Sequence, residues 1–197
     1  MTEHTRILCV DDEPSVLEGL KLHLRRFYDV QTANGGPMAL ELLVREGPFA
    51  VVLSDMRMPG MDGATLLGQI RQRSPDTTRI LLTGQADLES AIAAVNEGQL
   101  FRFLTKPCPP PVLLKAFEAG VAQYRLITAQ RVLLEQTLRG VIQTLTDVLA
   151  LTQPIAFGRA NRLKRHAVDL AKQLGIQQEM WQLEVAAMLS QIGYIIL

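Results

Sequence analysis

The sequence has little cysteine: two residues in 197, Cys9 and Cys108. They form no metal-ligand or disulfide-framework spacing, which argues against a zinc module or a stapled secreted scaffold and fits a reducing compartment. An excess of one charge is also lacking. Lys plus Arg and Asp plus Glu number 20 each, the net charge is zero and the isoelectric point is about 6.8. No basic surplus advertises nucleic acid or an anionic membrane. No apolar run approaches the roughly 20 residues a membrane span needs. The polar start, Thr2-Glu3-His4-Thr5-Arg6, does not read as a signal peptide. A cytoplasmic protein is expected. No G-x-G-x-x-G follows the first apolar run, so a dinucleotide fold fits poorly.

What is present is a core. The chain is 48% hydrophobic and 20% charged, which argues against disorder. Its length suits one full domain plus something smaller. The most informative stretch is Val51-Val52-Leu53-Ser54-Asp55, followed by Met56-Arg57-Met58-Pro59-Gly60. It reads as a buried strand delivering one carboxylate into a loop. Ile7-Leu8-Cys9-Val10 runs into Asp11-Asp12, Arg79-Ile80-Leu81-Leu82 into Thr83, and Phe101-Arg102-Phe103-Leu104 into Thr105-Lys106-Pro107. A short strand is expected at Asp29–Thr32. Helices are expected after Pro14, over Met38–Arg45, over Gly63–Arg73 and over Asp87–Glu97. Strands alternating with single helices predict a doubly wound parallel sheet with right-handed crossovers. Ligands of such sheets sit at the carboxyl ends of the strands.

After Cys108-Pro109-Pro110-Pro111 the pattern changes to long helix. Phe117, Tyr124, Leu138 and Leu145 recur on a seven-residue grid, broken by Arg131, and Ile127, Leu134, Val141 and Val148 fill its second position. Such heptads predict a coiled coil or bundle helix, read here as a homodimer helix over 109–151. Amphipathic helices are expected over Ala160–Leu174 and Gln178–Ile192, giving an all-α extension over 152–197.

Asp11, Asp12 and Asp55 would bring three carboxylates together. Two like charges about 4 Å apart repel by roughly 4 kcal/mol even at an effective dielectric of 20, so a cation or raised pKa values is expected. Oxygen ligands from few carboxylates suit Mg²⁺. Lys106 adds a positive charge and Thr83 a hydroxyl. Each alone has a bland reading: an Asp after a strand is most often a helix N-cap, and a Lys before Pro is usually solvated. The ordered set, each member at the end of a separate strand, points to phosphoryl transfer onto Asp55.

Asp11-Asp12, Asp55 with Met58-Pro59-Gly60-Met61-Asp62-Gly63, Thr83 and Lys106-Pro107 resemble the response-regulator receiver domain, over residues 5–122. The resemblance implies a CheY-like five-stranded sheet in the order 2-1-3-4-5 and a phosphoryl group taken by Asp55 from a sensor histidine kinase. It implies direct Mg²⁺ ligation by Asp12, Asp55 and the Arg57 carbonyl, with Asp11 acting through water. It also implies a Lys106 pairing with the phosphoryl group, a cis Lys106-Pro107 bond, and a switch in which Thr83 moves while an aromatic turns inward. Phe103 holds the aromatic position, without the commoner hydroxyl, and Gly84 leaves extra room. Arg57 and Gln85 flank that opening and are expected to set the lifetime of the aspartyl phosphate.

The segment from about Leu133 to Leu197 resembles the start of an HD-GYP domain, the class that hydrolyses cyclic di-GMP. Arg162-Leu163, Leu174-Gly175-Ile176, Ala186-Ala187-Met188-Leu189 and Ile192-Gly193 carry this resemblance. The family's first metal histidine falls on Arg159, its His-Asp pair on Ser190-Gln191, and its following lysine on Tyr194. Serine and glutamine are poor ligands for such a site. His166 lies on a different helical face and is read as surface. The chain is therefore expected to be a phosphoacceptor with a degenerate output module, not a phosphodiesterase. The competing readings are phosphodiesterase activity in a longer parent and a DNA-binding regulator. Arg159, Arg162, Lys164 and Arg165 are read as a solvated face, not a DNA contact.

Overall fold

The computed structural model describes residues 5–84, 100–176 and 180–190. The elements in order are β1 (Arg6–Asp11), α1 (Pro14–Leu24), β2 (Asp29–Asn34), α2 (Gly36–Glu46), β3 (Val51–Asp55), α3 (Gly63–Arg73), β4 (Thr78–Thr83) and β5 (Arg102–Thr105). Three described helices follow: α4 (Pro110–Thr152), α5 (Pro154–Gln173) and α6 (Met180–Leu189). The helix expected over Asp87–Glu97, and the last residues of the one expected to reach Ile192, lie outside the described residues. The chain divides into two compact units, Met1–Ala129 and Gln130–Leu197.

In the first unit the sheet order is β2-β1-β3-β4-β5, with every pair parallel. This is the five-stranded order that the resemblance implied, with a helical extension behind it. The central strands are apolar on both faces because both faces are covered. Ile7, Cys9, Val51, Leu53, Ile80 and Leu82 face one core, with Leu17 and Leu24 of α1 and Phe117 of α4. Leu8, Val10, Val52 and Leu81 face the other, with Leu42 of α2 and Leu66 and Ile70 of α3.

Local chemistry sets several boundaries. Pro14 opens α1, where a missing N–H costs nothing. Asp62 caps α3 by accepting from the Thr65 N–H at 2.7 Å. β2 runs two residues past the expected Thr32, because Ala33 and Asn34 keep their register against Val10 and Asp11 of β1. β5 begins later than expected, at Arg102, where pairing with Ile80 begins.

Part of the heptad grid is used inside the first unit. Phe117 is fully buried and its ring lies 5.9 Å from that of Tyr28. Tyr124 packs on the same core. Farther along α4, in the second unit, Leu133, Leu134, Leu138, Val141, Leu145 and Val148 are exposed. In that unit α5 packs on α6, burying Ala156, Ala160, Ala171, Ala187 and Met188. Among the described residues no helix is long and apolar enough to cross a membrane.

Candidate functional site

Because all strands run parallel, Asp11, Asp55 and Thr83, each the last residue of its strand, reach the same sheet edge, with Lys106 directly after β5. Backbone amides orient the two buried carboxylates. The Glu13 N–H donates to Asp11 Oδ1 and the Arg57 N–H to Asp55 Oδ2, each at 2.9 Å. The remaining oxygens face one ammonium: Lys106 Nζ lies 2.5 Å from Asp55 Oδ1 and 3.4 Å from Asp11 Oδ2. Asp11 and Asp55 are 1% and 6% exposed, so neither could stay ionised cheaply without that cation. Burial pushes the Lys106 pKa down, but the hydrogen bond to Asp55 and the charges of Asp11 and Asp55 outweigh it, and the net shift is upward.

The loops around the site are tied to one another. Lys106 N–H donates to Thr83 O and Met56 N–H to Leu82 O, both at 2.8 Å, and Gly63 N–H donates to Met56 O at 2.9 Å. The Lys106-Pro107 bond is cis, as the resemblance implied. In the β3–α3 loop Gly60 takes φ 77°, a left-handed conformation that glycine adopts without a Cβ clash. Thr83 is fully buried and its hydroxyl donates to Gly84 O at 3.2 Å, turned to its own backbone. Phe103 is half-buried and packs on the core shared with α2 and α3. Among the described residues, a Cβ at Gly84 would meet nothing within 4 Å.

The structure changes one expectation. Asp11 and Asp55 meet at Lys106, but Asp12 is turned to a neighbouring opening lined also by Met56, Arg57, Met58, Pro59 and Asp62. Among the described residues no three carboxylate, imidazole or thiolate groups gather closely enough to form a metal cage. The reason is local: Lys106 and two backbone amides already satisfy the paired acids. The carboxylates that line the opening, Asp12 and Asp62, offer oxygen donors only. That set matches a hard cation that keeps several waters, and it is too poor in nitrogen and sulfur for zinc.

Two residues quoted from the sequence were given no role there. Ser54 is fully buried and its hydroxyl donates to the Asp55 carbonyl at 2.9 Å. A lone hydroxyl inside an apolar strand was the available signal. Gly63 brings the start of α3 against that same carbonyl. Gln85 lies outside the described residues. In the second unit Arg159 and His166 are exposed on α5. Ser190 follows α6, its hydroxyl donating to Ala187 O at 2.7 Å. Gln191 and Tyr194 lie outside the described residues.

Comparison with known proteins places this geometry. The family model described as the response regulator receiver domain matches residues 7–118. The hydrogenase transcriptional regulatory protein HoxA of Cupriavidus necator is 36% identical over 115 residues, 58% of this chain and 24% of that protein. The response regulator protein PilR of Pseudomonas aeruginosa is 43% identical over 103 residues, 52% of this chain and 23% of that protein. The chain thus spans about a quarter of the length of these curated relatives. A solved structure described as adenylate cyclase from Rhodopirellula baltica is 45% identical, with a TM-score of 0.65 over 66% of this chain and 97% of that one. The signal receiver domain of an HD domain-containing protein from Pseudomonas fluorescens is 36% identical, with a TM-score of 0.60 over 66% of this chain and 95% of that one. The chain belongs to the response regulator receiver domain family, with a helical segment following the receiver.

Proposed function

We propose that Asp55 is the phosphoacceptor of a two-component pathway, taking its phosphoryl group from a phosphohistidine of a sensor kinase. The observation that carries this is Lys106 Nζ, 2.5 Å from Asp55 Oδ1 and 3.4 Å from Asp11 Oδ2. A cation so placed balances a buried nucleophilic carboxylate before transfer and a phosphoryl oxygen after it. One Asp55 oxygen attacks phosphorus in line, the P–N bond to the donor imidazole breaks, and an acyl phosphate forms. Water later cleaves it and restores the carboxylate. Asp12, Asp55 and the Arg57 carbonyl, with Asp11 through water, would hold Mg²⁺, whose contribution when bound is to neutralise the phosphoryl oxygens. The Thr83 hydroxyl exchanges its Gly84 bond for a phosphoryl oxygen, and Phe103 moves further inward. The modification adds about −1.5 to −2 charges, enough to bias a two-state element.

Labelled acetyl phosphate with Mg²⁺ tests the reading. Wild-type protein takes up label and Asp55→Asn does not; equal uptake by both defeats the assignment.

The output reading is a catalytically degenerate HD-GYP-like module over 152–197, with Arg159, Ser190, Gln191 and Tyr194 where metal-site residues would stand. The Pseudomonas fluorescens relative, named as an HD domain-containing protein, supports this pairing of domains. The exposed Leu133, Leu134, Leu138, Val141, Leu145 and Val148 support a homodimer through the 109–151 helix. Solution mass with and without beryllofluoride and Mg²⁺ tests it: the reading expects a dimer, and a monomer in both states ends it. A second reading, a DNA-linked regulator, is favoured by the names of relatives such as HoxA; salt-dependent retention on DNA would support it. Cyclic di-GMP turnover by a longer parent, supplied with Mn²⁺ or Fe²⁺, would instead revive the phosphodiesterase alternative.

A further inference from the structure

The second unit contains a cavity of about 160 Å³ between the far part of α4, α5 and α6. Its lining divides by chemistry. Ile142, Val185 and Met188 supply an apolar floor. Thr146 joins them by its methyl group, since its hydroxyl is engaged by the Ile142 and Gln143 carbonyls at 3.0 and 2.8 Å. Trp181, the only tryptophan in the chain, lines the cavity. The Arg139 guanidinium lies 5.9 Å from the centre of its ring. Arg139 is itself paired with Glu135 at 2.9 Å. Gln143 donates to Asp147 at 2.8 Å.

Two charged groups of opposite sign are left over. Lys164 of α5 and Glu184 of α6 both line the cavity and both are half-buried. Neither forms a hydrogen bond or ion pair with another described residue, and they do not pair with each other. Half-burying a charge without a partner is unfavourable. A ligand carrying only a carboxylate would satisfy Lys164 and be repelled by Glu184; a simple amine would meet the reverse. A zwitterion satisfies both. The floor asks for an apolar body, and a cavity of about 150 Å³ is known to accommodate one six-membered hydrocarbon ring.

We propose that this cavity binds a small apolar α-amino acid, with its carboxylate on Lys164, its ammonium on Glu184 and its side chain on Ile142, Val185 and Met188 beside Trp181. The site makes the second unit a ligand sensor separate from the phosphoacceptor. It does not depend on the phosphoryl-transfer reading.

Trp181 provides the assay, because emission from a single tryptophan reports this cavity alone. The whole chain is titrated with L-leucine. A saturable emission change is expected with a dissociation constant below about 1 mM. The analogues 4-methylpentanoate, lacking the ammonium, and isoamylamine, lacking the carboxylate, should bind at least about tenfold more weakly. Lys164→Met and Glu184→Gln should each weaken leucine by about tenfold or more, and Asp55→Asn should leave binding unchanged. No saturable change up to about 10 mM overturns the proposal. So does either analogue binding as tightly as leucine, a test that needs no variant to fold. Unchanged leucine affinity in folded Lys164→Met would do the same.

Discussion

Gly63→Ala would drive a methyl group into the carbonyl oxygen of Asp55. The added Cβ would also lie 2.9 Å from Leu81 Cδ1. The leucine can turn aside, but the carbonyl cannot, because it belongs to the last residue of a central strand. Relief requires the first turn of α3 to retreat. That breaks the 2.9 Å bond from Gly63 N–H to Met56 O and loosens the Asp62 cap on Thr65. Overpacking costs about 1–3 kcal/mol and the lost hydrogen bond about 1 kcal/mol, so the variant should lose about 2–4 kcal/mol. For a domain of this size that lowers Tm by roughly 8–16 °C. Gly68, on the same helix, is the control: a Cβ there meets no described residue within 4 Å. Gly68→Ala should stabilise by about 0.5–1 kcal/mol through helix propensity. Differential scanning calorimetry of the whole chain reads both. Labelling by acetyl phosphate reads the site, where a displaced Asp55 should react up to about a hundredfold more slowly. If Gly63→Ala matches wild type in Tm and labelling rate, or if both variants shift the same way, the close-approach argument is refuted.

Thr78 Oγ1 is buried with no hydrogen-bond partner among the described residues, so the near-isosteric Thr78→Val should stabilise by about 1 kcal/mol in calorimetry; a loss of stability would show that the hydroxyl has a partner. Cys108, half-exposed, should react with a thiol reagent in the native protein well before the buried Cys9; equal rates would contradict the burial. Burial pushes the Cys9 thiol from 9.0 to about 12. Its contribution to stability is therefore whole below pH 9 and lost as pH rises from 9 towards 12, at up to about 1.4 kcal/mol per pH unit. Cys9→Ala should consequently show a flatter alkaline decline than wild type, and parallel declines would count against the shift. Lys106→Met leaves Asp11 and Asp55 buried side by side without their shared cation, so stability at pH 7 should fall. A variant with wild-type stability at pH 7 would contradict the ion-pair geometry.

The sheet was readable because its central strands are buried on both faces. Ile7 to Val10, Val51 to Leu53 and Ile80 to Leu82 are unbroken apolar runs, each ended by a polar residue that can only be at the strand's carboxyl end. Phe117 was harder to assign. Its seven-residue spacing fits a coiled coil, yet its ring packs against Tyr28 in the receiver core, a neighbour far away in sequence. β2 outran its expected end because pairing with β1 carries Ala33 and Asn34, and local propensity does not see a partner strand.

The sequence alone determined which groups can reach the functional edge. In a parallel sheet, chain direction and strand order suffice to bring Asp11, Asp12, Asp55, Thr83 and Lys106 to one end. Tertiary structure decided how their charges are shared. Lys106 lies between Asp11 and Asp55, Asp12 turns outward, and Ser54 and Gly63 close on the Asp55 carbonyl. It also decided that Lys164, Glu184 and Trp181 line one cavity. Those outcomes depend on ångström-scale distances between side chains from separate elements, and residue spacing along a chain does not encode them.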